Sequence, residues 1–291
     1  MCSNEAPLKL PPATLRSPGI AIAGAHAPGH RRSDTMTRLF AALLLTAAPA
    51  AAETAVGLTG DRTLVMIDTA TAAVTGTVEV QGVSSLLGID WRPGTMTLIG
   101  VTDAQAIVSI DPATGVATEL ARMNMMLPVT SGMPVVVDVN PAADRLRFMS
   151  GTINHRVNME TGEVTVDKPL AFVAGDANAG NAPNIVAAAY TNSYGKPEKT
   201  AMYDIDATIS AVVQQVAPND GTLAAIGQLG VALTGSVGFD VATTPEGTNT
   251  AWLAALGGLH TVDLGTGAVT RSWPITGADQ PIRDLTILPE M

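Results

Sequence analysis

Ile89-Asp90-Trp91-Arg92-Pro93 returns 48 residues later as Val137-Asp138-Val139-Asn140-Pro141, and both copies open the same succession of short apolar runs and turns. The first copy continues with Leu98-Ile99-Gly100, then Ile107 to Pro112 with Thr114-Gly115, then Val116-Ala117-Thr118. The second continues with Leu146-Arg147-Phe148, Val157 to Gly162 and Glu163-Val164-Thr165. Further opening strands stand at Ala188-Ala189-Tyr190, Phe239-Asp240-Val241 and Leu285-Thr286-Ile287, so the units begin 48, 51, 51 and 46 residues apart. A turn glycine repeats near the end of the units, at Gly115, Gly162, Gly221 and Gly267, with Ala72 in the matching place of the first. Glycine there suits a tight hairpin that needs positive φ.

Within each unit apolar residues alternate over short runs separated by Gly, Asp, Asn and Pro, and no stretch keeps a 3.6-residue period. Four short strands in a repeat of roughly 50 residues describe a propeller blade. The expected fold is therefore all-β: a five-bladed β-propeller of four-stranded antiparallel blades. It closes if the C-terminal strand, Arg283 to Leu288, joins the N-terminal strands Ala55 to Leu58, Leu64 to Ile67 and Val74 to Val80. Such a mixed blade removes exposed sheet edges. A β-sandwich, or a six-bladed ring with one degenerate unit, is the alternative architecture.

Upstream of the repeats the texture differs. Residues 1–35 are rich in Pro, Ala and His without a sustained period, and read as disorder or a mis-called start. From Met36 a basic residue (Arg38), an apolar run (Leu39 to Ala48) and Pro49-Ala50-Ala51-Ala52 form a signal-peptide pattern over residues 36–52, with cleavage expected after Ala52. About ten apolar residues are too few for a helix that needs roughly 20 to span a membrane. The expectation is an exported, periplasmic or secreted product whose residues 53–291 form one propeller domain with no membrane span.

The chain holds 16 basic and 26 acidic residues; five and two of these precede Glu53, leaving 11 and 24 and a net charge of −13. Nucleic-acid and anionic-membrane binding rely on clustered Lys and Arg, so neither partner is expected. Cys2 is the only cysteine. Residues 53–291 therefore have no disulfide, no Cys nucleophile and no Cys metal ligand. Gly-x-Ser-x-Gly, Gly-x-Gly-x-x-Gly and P-loop patterns are absent, which argues against nucleophilic hydrolysis and nucleotide cofactors.

The segments Asn140-Pro141, Asp144-Arg145-Leu146-Arg147, Gly175-Asp176-Ala177-Asn178-Ala179-Gly180, Ala187 to Asn192 and Pro218-Asn219-Asp220-Gly221-Thr222-Leu223 together resemble the bacterial domain-of-unknown-function 4394 family. The likeness covers nearly all of residues 53–291. It implies an exported, propeller-like domain and no established activity. The Met-rich segment around residue 125 departs from the family's usual pattern.

If blade strands alternate up and down, the turns between second and third strands and the connections between blades share one face. Two connections are long, Ala121 to Pro134 and Asp167 to Asn184, and such loops often carry function. In the second, Asp176, Asn178, Asn181 and Asn184 offer side-chain oxygens suited to Ca²⁺, with Asp176 and Asn178 foremost, or to a sugar; Asp220 is a further ligand candidate, and with Asp176 a metal-ligand or acid/base candidate if the protein is a hydrolase. The run lacks the spacing and closing Glu of a calcium loop, and Asx residues also cap turns. In the first connection Met123, Met125 and Met126, with Met133 and His155, offer soft ligands for Cu(I), or merely fill apolar gaps.

Asp90, Asp138 and Asp240 share one position of three opening strands. Paired carboxylates can serve acid/base hydrolysis. Strand side chains, however, alternate toward neighbouring blades, so these acids are expected to hold the ring together through backbone or Arg bonds, with Arg145, Arg147 and Arg156 as partners. The leading functional expectation is a binding or interaction module for a small molecule or an envelope protein. The alternatives are a metal-assisted hydrolase of glycosides or lactones using loop and channel-mouth carboxylates, and a structural envelope protein. Three carboxylates converging at the channel mouth would favour the hydrolase.

Overall fold

The computed structural model describes residues 53–129 and 132–289. The disordered or mis-called start at 1–35 and the signal peptide at 36–52 lie outside the described residues.

The strands follow the repeat. Blade one contains β1 (Thr54–Thr59), β2 (Thr63–Asp68) and β3 (Ala73–Glu79). Blade two contains β4 (Leu86–Arg92), β5 (Thr97–Thr102), β6 (Ala106–Ile110) and β7 (Ala117–Arg122). Blade three is β8 (Val136–Asn140), β9 (Arg145–Ser150), β10 (Ile153–Val157) and β11 (Val164–Val166). In blade four a short β12 (Ala171–Phe172) precedes β13 (Ile185–Tyr190), β14 (Met202–Asp206), β15 (Ala211–Ala217) and β16 (Thr222–Gln228). Blade five is β17 (Val237–Thr243), β18 (Asn249–Ala255), β19 (Gly258–Val262) and β20 (Val269–Pro274). The last strand, β21 (Ile282–Leu288), becomes the inner strand of blade one by pairing antiparallel with β1.

The result is a five-bladed propeller of antiparallel blades, with the ends of the ring joined as the repeat requires. Blade four departs from the rule of four, because β12 adds a parallel strand outside β16. Burial grades outward across each sheet. The inner strand β4 is buried or half-buried throughout, whereas the outer β7 and β20 are largely exposed, as expected of strands stacked on both faces at the axis and bare at the rim.

Five apolar clusters fill the five gaps between blades. Ile99, Val101 and Ile107 of blade two meet Val137, Val139 and Phe148 of blade three. Ile205 and Val212 of blade four meet Val237, Phe239 and Leu253 of blade five. The other gaps are filled by clusters containing Leu64 with Leu98, Met149 with Met202, and Ile67 with Leu259. Burial of Val, Ile and Leu, at about 25 cal/mol per Å² of apolar surface, thus acts almost entirely between blades.

The repeated glycines have a second role besides the turn. Gly162 has φ +73°, and a Cβ placed on it would lie 1.8 Å from the Arg122 carbonyl oxygen of the preceding blade. The close approach exists because Asn124 N–H donates to the Gly162 carbonyl, docking the end of one outer strand on the next blade's turn. Gly115, Gly221 and Gly267 meet backbone of preceding segments in the same way. Ala72 occupies the matching turn at φ 55° and is fully buried, with its carbonyl accepting the Thr276 N–H. Gly162→Ala should therefore lower stability by more than about 1 kcal/mol, since strain and collision add. Ala72→Gly should stay within about 1 kcal/mol of the parent; denaturant melts of both variants compare the two.

Candidate functional site

The inner strands bring their shared acid position to the axis. Oxygens of Asp90 on β4, Asp138 on β8 and Asp240 on β17 all lie within 4.8 Å of one another. The three residues are only 4–6% exposed. Among the described residues this is the sole set of three or more His, Asp or Glu ligand atoms so close together.

Each carboxylate reaches forward to the next blade's inner strand. Asp90 Oδ2 accepts the Val139 N–H at 2.6 Å, Asp138 Oδ1 accepts the Tyr190 N–H at 3.1 Å, and Asp240 Oδ2 accepts the Ile287 N–H. On β21 the equivalent residue is Thr286, whose hydroxyl accepts the Trp91 N–H at 3.1 Å; Asp284 beside it accepts the Ile89 N–H at 2.8 Å. The expectation that these acids bind the ring together through backbone is met. The expected arginine partners are not: Arg147 and Arg156 both pair with Asp167, and Arg145 donates to the Asp144 carbonyl. Blade four has Ala189 at the shared position, so the Val241 N–H of blade five turns to its own Asp240 Oδ1 at 2.6 Å.

Burial pushes these acids up. Asp90 is raised well above the usual carboxylate range by burial and then by the charge of Asp240; Asp138 is raised similarly by burial and then by Asp90. Asp240 is raised to about 6 and Asp284 to about 7, each chiefly by burial and each held back by its backbone N–H donors. Asp204, fully buried on β14, is raised to about 8 by burial, with the Gln215 amide opposing. Three carboxyl oxygens are hard donors but supply only about half of the roughly six to eight oxygens that Ca²⁺ takes. Their commitment to backbone donors favours a structural and proton-holding role.

The loop candidates fall elsewhere. Asp176 Oδ1 accepts both the Asn178 N–H and its side-chain amide, while Asp176 Oδ2 accepts the Ala225 N–H of β16 at 2.7 Å. These hydrogen bonds, the Asn178 N–H first, hold the Asp176 carboxyl below its usual range. Asn181 donates its N–H to the Asn178 carbonyl, and Asn184 donates its N–H to Asp206 Oδ2 at 3.0 Å. Asp220 pairs with Lys168 at 2.7 Å, both exposed. The structure thus joins Asp176 and Asn178 in one turn and leaves Asp220 in a separate ion pair. Met123 is packed into the cluster between blades two and three, whereas Met125, Met126 and Met133 are 48%, 54% and 41% exposed.

One network has no warning in the repeat. Arg147, 1% exposed, donates to Tyr190 Oη, Asn154 Oδ1, Asp167 Oδ2 and Asn219 Oδ1, tying blade three to blade four. Nothing in its spacing distinguishes it from an ordinary strand arginine. Thr286 was legible in principle, because Leu285-Thr286-Ile287 aligns with Ile89-Asp90-Trp91; Asp284 carries no such signal. Arg147→Met should cost about 3 kcal/mol or more by stranding buried acceptors, whereas Arg156→Met, at a half-buried ion pair, should cost less than about 1 kcal/mol. Urea melts of the two variants give the comparison.

The connections between blades and the turns between second and third strands share a face, as Leu86 N–H to Asp61 O, Met123 N–H to Gln105 O and Leu170 N–H to Thr152 O record. Gln105, 3% exposed, also clamps Leu127 through both ends of its amide, at 2.7 Å each. Two clefts of about 190 and 490 Å³ open on this face between blades one and two. Asp103, Glu119 and Arg122 line the first, Asp61, Arg62 and Gln280 the second, and Ser84 borders both.

Among solved structures, a protein of unknown function from Bacteroides caccae is similar at 13% identity, with 78% of this chain and 75% of that chain covered and a TM-score of 0.41. A second protein of unknown function, from Bacteroides thetaiotaomicron VPI-5482, is 14% identical over 82% of this chain and 65% of that one, with a TM-score of 0.46. A luciferin-regenerating enzyme is 13% identical over 80% and 78%, with a TM-score of 0.44. No curated protein matches the sequence. The family model named Domain of unknown function (DUF4394) matches residues 63–286, across all five blades, and the chain belongs to that family.

Proposed function

We propose that the protein is an exported binding module that holds its ligand on the face bearing the connections between blades. The observation that carries this reading is the pair of clefts that open there beside blades one and two and share Ser84 at their border. The clefts are lined mainly by polar and charged groups of both signs and contain no aromatic ring. They suit a small polar molecule bound by hydrogen bonds rather than by stacking. Export rests on the residue pattern of 36–52, and product isolated from the envelope should begin at Glu53 by N-terminal sequencing.

Three carboxylates do converge, at Asp90, Asp138 and Asp240, but they are buried and each accepts a backbone N–H of the next blade. The loop carboxylates are engaged too, Asp176 by two backbone N–H groups and Asp220 by Lys168, so binding without turnover is favoured over metal-assisted hydrolysis. The test is a thermal-shift titration of the purified protein with a sugar panel, Ca²⁺, Cu(I) and EDTA. A ligand at 100 times its dissociation constant stabilises the native state by about 2.7 kcal/mol. A sugar that raises the midpoint of the wild type and not of Ser84→Trp, whose indole would fill the exposed border of the clefts, supports the reading. A Ca²⁺ shift accompanied by release of product from a glycoside or lactone would replace it with the hydrolase.

A further inference from the structure

The hydrogen bonds around Thr286 contain one proton too few. Its Oγ1 lies 2.9 Å from Asp90 Oδ1 and 3.1 Å from Asp240 Oδ2, and it also accepts the Trp91 N–H at 3.1 Å. A hydroxyl has one hydrogen to donate and two lone pairs to accept with. Trp91 occupies one lone pair, and the single hydrogen serves one carboxyl. The remaining lone pair then faces the other carboxyl oxygen at hydrogen-bond distance, an arrangement that repels unless that carboxyl carries a proton.

We propose that Asp90, Thr286 and Asp240 form a proton-held clasp at the propeller axis, in which one carboxyl keeps its proton at neutral pH and its release loosens the ring. The remaining bonds say where the proton sits. Asp240 Oδ2 already accepts the Ile287 N–H and Asp240 Oδ1 the Val241 N–H, so both of its oxygens are acceptors. Asp90 accepts the Val139 N–H on Oδ2; the nearby Trp91 N–H, which also favours its charged form, donates to Thr286 Oγ1, and Oδ1 is left to carry a hydrogen. The chain therefore runs from the Asp90 carboxyl O–H to Thr286 Oγ1, and from the Thr286 O–H to the Asp240 carboxylate. The order agrees with the burial effects, which lift Asp90 well above its usual range and Asp240 only to about 6.

Among the described residues no ion pair offsets charge on Asp90 or Asp240, and the Arg283 charge acts on Asp284. The titratable groups facing the clasp are Asp138 on β8, Tyr190 on β13 and Asp284 on β21, all of which disfavour a further negative charge or are uncharged. Arg283 is turned to the carbonyls of Gly60, Asp61, Leu86 and Leu87. Among the described residues, no arginine or lysine is paired with Asp90, Asp138 or Asp240.

Linkage sets the sign. A carboxyl whose affinity for its proton is raised by folding binds more protons folded than unfolded between about pH 4 and its folded value, so stability falls as pH climbs through that window. The thermal midpoint of the purified protein should drop by more than about 5 °C from pH 5 to pH 8.5. Asp90→Asn is the decisive variant, because its amide N–H₂ can donate to Thr286 as the protonated acid does while its carbonyl accepts from Val139. It should melt above the wild type at pH 8.5 and show a shallower pH slope. An isotope-edited infrared spectrum of the wild type at pH 7 should contain a protonated-carboxyl carbonyl band that Asp90→Asn weakens. An Asp90→Asn variant that is less stable than the wild type by the same margin at every pH overturns the clasp. So does a wild-type spectrum without that band, which needs no variant to fold. A wild-type midpoint at pH 8.5 that rises with Ca²⁺ or Mg²⁺, and does not in Asp90→Asn, puts a cation where the proton is placed and overturns it as well.

Discussion

A closed ring of sheets must hold each inner strand against the next without a ladder between them, and here that grip is a side-chain oxygen accepting a backbone N–H. Asp90, Asp138, Asp240 and the pair Asp284 and Thr286 repeat the contact at four of five interfaces. The exchange has two sides. An unpaired buried N–H costs about 1–3 kcal/mol, and a buried carboxylate with no counter-charge costs more, on the order of several kcal/mol. Joining the two satisfies the first and leaves the second to protonation, so acids at the axis can stand without an ion-pair partner.

The fifth interface reveals how the remaining forces substitute. Ala189 offers no oxygen between blades four and five, and two other features hold that gap. One is the apolar cluster running from Ala187 and Ile205 to Phe239 and Leu253. The other is a polar staple, in which Ser193 Oγ donates to the Val241 carbonyl at 2.6 Å and Asn192 and Asn249 bond each other. Between blades three and four the balance tips the other way, with Arg147, Asn154 and Asp167 forming a buried polar junction beside a cluster of Leu, Met and Phe. One architecture is thus held by a different mixture of burial and hydrogen bonding at each seam.

The division of labour between axis and face follows from geometry. Inner-strand side chains are trapped between blades, so acids there serve the ring. Loops on the face of the connections are free of that duty, and the clefts beside Ser84 open there. The same logic explains the loop carboxylates: Asp176 is consumed in fixing its own turn to β16, and what the turn presents outward is backbone and small side chains.

The period of about 50 residues, the alternation within each unit and the turn glycines pointed to five blades and a closure between the C-terminal and N-terminal strands, because each is a local pattern; a sandwich or a six-bladed ring was excluded only by the strand pairing of the folded chain. The added strand β12 was not legible, since two residues, Ala171 and Phe172, carry no periodicity. The repeat also marked Asp90, Asp138 and Asp240 as equivalent and as holding the ring together, but left backbone and arginine partners equally open. That the three acids meet is a property of the closed ring alone. Residues roughly 50 and 100 positions apart become neighbours only when the ring closes, and Thr286 reaches two of them only because β21 completes blade one. The proton count at that hydroxyl depends on distances between chain segments almost 200 residues apart, for which a sequence has no local signature.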